Sequence, residues 1–75
     1  MTERRYLIVL EGAASANYSA YAPDLPGVAA TGAAGQECEH EMRAAIAFHL
    51  EGLGDAGQPI PEPSQGSATY VNVAD

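Results

Sequence analysis

Seventy-five residues carry 10 acidic side chains against 3 basic ones, a net charge of −7 that argues against direct binding to nucleic-acid phosphates and favours a basic partner. The plainer account, that this charge keeps a small protein soluble, stands beside it. So short a chain is expected to form one domain near the low end of what a single core stabilises, and to lean on self-association or a partner.

Residues 4–11 are predicted as a first strand, because Tyr6-Leu7-Ile8-Val9-Leu10 is an unbroken apolar run of strand formers. That run is too short for a signal-peptide core or a membrane span, and a cytoplasmic protein is expected. Residues 12–17 supply a hairpin loop, with Gly12 and Asn17 tolerant of positive φ. A second strand over residues 18–22 places Tyr18, Ala20 and Ala22 on one face, Ser19 and Tyr21 on the other. Pro23 cannot donate to a ladder and ends that strand. Asp24 is expected to bond backbone groups further along the turn, and Pro26-Gly27 reverses the chain into a third strand over residues 28–32. Short connections make these strands an antiparallel meander.

Gly32-Ala33-Ala34-Gly35 breaks the sheet and leads into a helix predicted over residues 36–56. Cys38, Met42, Ala45, Ile46, His49 and Leu53 fall on one face at helical spacing, with Glu39, Arg43, Ala47 and Glu51 on or beside the opposite face. Glu37, Glu39 and Glu41 occupy the first turns, where the helix dipole favours carboxylates. Glu39 and Arg43 stand in the order that favours a weak ion pair. Gly52 and Gly54 weaken the last turns, and Gly57 is placed to cap the end.

Residues 58–63, rich in proline, read as an extended crossing segment pinned by Ile60. After a loop over residues 64–67, residues 68–73 are predicted as a fourth strand, with Tyr70 and Asn72 on one face and Thr69, Val71 and Val73 on the other. Following a helical crossover, this strand is expected to pair parallel with the first. The predicted fold is therefore α+β, in the order β-β-β-α-β, with one helix packed on a mixed sheet.

Tyr18-Ser19-Ala20-Tyr21-Ala22-Pro23-Asp24-Leu25-Pro26-Gly27 resembles the signature of the HicB family of antitoxins. The resemblance continues through Ala30-Thr31-Gly32, through the helix from Ala45 to Leu53, and through Gly57 to Ser64. It implies a truncated ribonuclease H-like fold. It also implies a partner: HicB proteins bind HicA, a small basic ribonuclease that cleaves messenger RNA with a histidine, and mask its active site. Relatives commonly carry Asp-Thr after Thr-Gly as a helix cap. This chain has Ala33-Ala34 there, so a helix start without a side-chain cap is expected. Full-length HicB proteins usually add a C-terminal DNA-binding domain. Residues 1–75 are expected to form a single HicB-like domain, since they contain no recognition helix, basic arm or heptad pattern.

Catalysis by a ribonuclease H fold needs several carboxylates converging on metal ions, usually including one on the first strand. Here Glu11 lies only at that strand's end, Asp24 sits in a turn, and Glu37, Glu39 and Glu41 lie on the helix's first turns, so solvated carboxylates and no enzyme are expected. His40 and His49 lack a ligand partner at close helical spacing, and Cys38 reads as a small buried residue under the helix. A lone cysteine makes no internal disulfide, which fits a reducing compartment. No metal and no cofactor is expected.

Tyr21, Asp24, Leu25 and Pro26 are the candidate partner-binding residues, since a tyrosine beside a rigid turn gives contact area at low entropic cost. The competing account has Tyr21 and Leu25 completing a small core. Tyr70 is a second choice, and exposed strand edges could pair copies of the chain into a dimer or tetramer.

Overall fold

A computed structural model describes residues 4–13 and 15–74. It contains three strands, β1 (Val9–Glu11), β2 (Tyr18–Tyr21) and β3 (Ala29–Gly32), followed by one helix, α1 (Gly35–Asp55). The strands form an antiparallel meander in the order β1-β2-β3. Ala20 is the centre of the register, opposite Leu10 on one side and Ala30 on the other. α1 packs mainly on β3 and β2 and only marginally on β1. The fold is thus α+β, with a helix on one face of the sheet and the other face open.

The link from β2 to β3 is two consecutive β-turns. Leu25 N–H donates to the Ala22 carbonyl at 3.0 Å, and Val28 N–H donates to the Leu25 carbonyl at 3.2 Å. A proline sits second in each turn, where its fixed φ suits, and Gly27 sits third in the second turn at φ +86°. The residues that begin and end these turns, Ala22, Leu25 and Val28, all face inward and are buried. Together with Ala20, Cys38 and Met42 they make the core, and Tyr6, Ile8, Tyr18, Ala30, Ala45, Ile46 and Leu50 pack around it. Cys38 lies under α1 as its spacing requires, its thiol directed at the Ala30 carbonyl at 3.7 Å.

Ala34 begins α1 with extended backbone and no side-chain cap. Glu37 compensates in part, its carboxylate accepting the Ala33 N–H at 3.3 Å. The other end is closed by a Schellman arrangement. Gln58 N–H reaches the Leu53 carbonyl at 2.8 Å and Gly57 N–H the Gly54 carbonyl at 3.1 Å, with Gly57 at φ +70°.

Three expectations are corrected. The first strand is shorter than residues 4–11, because β2 ends at Tyr21 and the turn beyond it offers residues 4–8 no ladder partner. Asn17 does not take positive φ; Gly12, at φ +143°, absorbs the hairpin's distortion. Most consequentially, residues 68–73 form no strand, so the sheet is purely antiparallel rather than mixed. A strand exists only with a ladder partner, and these residues pair with none of the three strands. Tyr70, Val71 and Val73 are 100%, 78% and 81% exposed.

Candidate partner-binding surface

The sheet face turned away from α1 follows from the register. Directly opposed residues in an antiparallel pair share a face, which groups Val9, Tyr21 and Ala29 in one row and Glu11, Ser19 and Thr31 in the next. Tyr21 is the aromatic residue of this open face and is 46% exposed. The β2–β3 turn stands at the end of the face, with Pro23 and Pro26 exposed on it.

The turn's other candidates point elsewhere. Leu25 is 1% exposed and belongs to the core, so it seats the turn and presents no surface to a partner. Asp24 is half-buried, and its carboxylate accepts the N–H of Ser64 at 2.9 Å instead of bonding within the turn. Two further contacts hold the same crossing segment: the Tyr6 hydroxyl donates to the Pro61 carbonyl, and Arg4 lies 3.9 Å from Glu62. Tyr21 and Pro26 are therefore the exposed members of the predicted set near the turn. Tyr70 lies on the far side of the Ser64 anchor, fully exposed and separate from them.

A second surface went unrecognised in the sequence. Glu37, Glu41, Ala44, Phe48, Glu51 and Asp55 recur at intervals of three and four, and every one is exposed. They form a stripe along the outer side of α1, with Phe48 80% exposed between carboxylates at either end. The spacing alone could have revealed it. An apolar residue on the polar side of an amphipathic helix is the signal, and it draws no notice while attention stays on the core face. Beside Phe48, a groove lined by Val28, Ala45, His49 and Leu53 separates α1 from the second turn. The ion pair of Arg43 with Glu39 at 3.7 Å lies outside this stripe.

Among the described residues, no group of three or more His, Cys, Asp and Glu side chains could hold a metal ion. Glu11 ends β1 and Asp24 sits in the turn beyond the other end of β2, so these two acids do not converge. No helix among the described residues is long and apolar enough to cross a membrane.

The family model described as HicB_like antitoxin of bacterial toxin-antitoxin system matches residues 6–73, nearly the whole chain. No curated protein matches the chain, and no solved structure does.

Proposed function

We propose, for a chain that belongs to the HicB-like antitoxin family, that it binds a small basic HicA-like toxin and masks that toxin's RNA-cleaving site. The observation that carries this reading is the family match across residues 6–73. The charge of −7 supports it, because opposite net charges steer two proteins together and raise the association rate. The outer stripe of α1 concentrates part of that charge around an exposed aromatic residue, a combination suited to a basic surface with an apolar pocket.

In this reading Tyr21 and Pro26 meet the toxin from the open sheet face and its turn, and Asp24 and Leu25 hold the turn in place behind them. The domain acts as a non-catalytic protein-binding unit on a partial ribonuclease H-like scaffold, in the cytoplasm where messenger RNA is cleaved. It self-associates as a dimer or tetramer, with Tyr70 on that second surface. Its acidic surface makes no direct contact with nucleic acid.

The exposed apolar tail favours a second reading, in which self-association is the whole activity and no toxin is involved. Co-expression with a HicA-like toxin separates the two. The antitoxin reading predicts a stoichiometric complex that Tyr21→Arg weakens at least tenfold while the helical circular dichroism is unchanged. Recovery of the chain alone as a discrete oligomer favours the second reading.

A further inference from the structure

Residues 65–74 stand out as strand-forming sequence without a strand. Thr69, Tyr70, Val71 and Val73 are strand formers. No charged side chain occurs between Glu62 and Asp75, in a chain whose net charge is −7. Two such tails, or a tail and a sheet edge, can therefore meet without charge repulsion. Tyr70, Val71 and Val73 nevertheless lie in solvent. Among the described residues, the backbone of 65–74 makes no hydrogen bond to the rest of the domain.

The same chain presents a matching vacancy in its sheet. β1 pairs with β2 alone, so its outer edge is open. The preceding residues, Tyr6, Leu7 and Ile8, are half-buried and pair with no strand. The root of the tail is held beside the start of this edge by the Asp24–Ser64, Tyr6–Pro61 and Arg4–Glu62 contacts. A groove runs between residues 4–8 and 62–67, and its lining stops at Ser67. Beyond that root, residues 68–74 are exposed throughout and line none of the groove. The radius of gyration, 14.3 Å, correspondingly exceeds the value of about 11 Å expected for a compact chain of this length.

We propose that residues 69–73 are a strand donated to a second copy of the chain, added to the outer edge of that copy's β1. Reciprocal donation closes a two-fold dimer, satisfies both open edges and covers both apolar tails. This deepens the self-association part of the reading above and rests on it; toxin binding is a separate matter. The core gives the physical motive, since among the described residues it consists of six buried apolar side chains, two of them alanine, and so small a core gains most from intermolecular burial.

The test is hydrogen exchange and light scattering on the full chain over a hundredfold range of concentration, with Val71→Pro as the variant. Val71 is 78% exposed, so proline there removes a ladder donor without straining the domain. The expected result is a dimer in which amides 69–73 are protected and lose that protection on dilution. Val71→Pro is expected to be monomeric at concentrations at least tenfold higher, with unchanged helical dichroism. A monomer whose tail amides are protected at every concentration would show closure onto its own edge and overturn the proposal. Tail amides that exchange freely at all concentrations would also overturn it. A dimer that survives Val71→Pro would overturn the exchange and leave self-association standing, whereas a wild-type monomer would remove both.

Discussion

Leu25 does the structural work of the β2–β3 turn at the level of a single side chain. It ends one β-turn and begins the next, and the period of three returns Ala22, Leu25 and Val28 to the same inward direction. Truncating Leu25 to alanine removes a fully enclosed side chain, and losses of about 2–5 kcal/mol are typical of such sites. A 75-residue domain has total stability of roughly 4–11 kcal/mol at the usual value per residue. Leu25→Ala is therefore expected to lower the urea midpoint sharply or leave the chain largely unfolded. Gly32 tests a different limit. A Cβ there would lie 2.7 Å from the backbone nitrogen of Cys38, where β3 passes under the start of α1. Gly32→Ala is expected to cost about 1–3 kcal/mol in urea unfolding, the usual range for overpacking. The sequence identified Cys38 as buried from helical spacing, but the inward direction of Leu25 depends on turn hydrogen bonds that no period announces.

Among the elements, α1 was the most legible, because its apolar residues keep a helical period over many turns and its ends are marked by Ala-Gly and Gly-Gln. Ala34 leaves its N-terminus without a side-chain acceptor. Ala34→Asp is expected to stabilise the domain by about 1 kcal/mol, raising the melting temperature by roughly 4–8 °C for a domain of this size. An unchanged melting temperature would mean that Glu37, bonded to the Ala33 N–H, already supplies what the cap would add. The strands were legible in number and order up to β3, and less so in extent. Residues 4–8 and 68–73 both have the composition of strands, yet a strand is a property of a pair. Neither segment has a ladder partner in the chain as folded. The hydrogen bond from Ser64 to Asp24 was equally invisible, since it joins residues 40 positions apart.

For the molecule as a whole, charge and family membership carry the functional account. Ten acidic residues against three basic ones give the net charge of −7, and Glu37, Glu41, Glu51 and Asp55 of α1 flank Phe48. Association with a basic toxin is expected to slow as salt rises from 50 to 500 mM, with dissociation much less affected, because screening acts on the approach of the partners. Stopped-flow mixing reads both rates. Phe48→Ala separates anchoring from steering: it is expected to speed dissociation and leave the salt dependence of association in place. The sequence disclosed the family through Tyr18 to Gly27, and it left the docking surface open because those same residues divide between the core and the exterior.

The most direct measurement is an RNA-cleavage assay with a purified HicA-like toxin, titrated with the full chain. The account predicts that cleavage falls linearly to zero near one equivalent, with a complex of matching stoichiometry by native mass spectrometry. Cleavage that continues unchanged at several equivalents, with no complex detected, would contradict it.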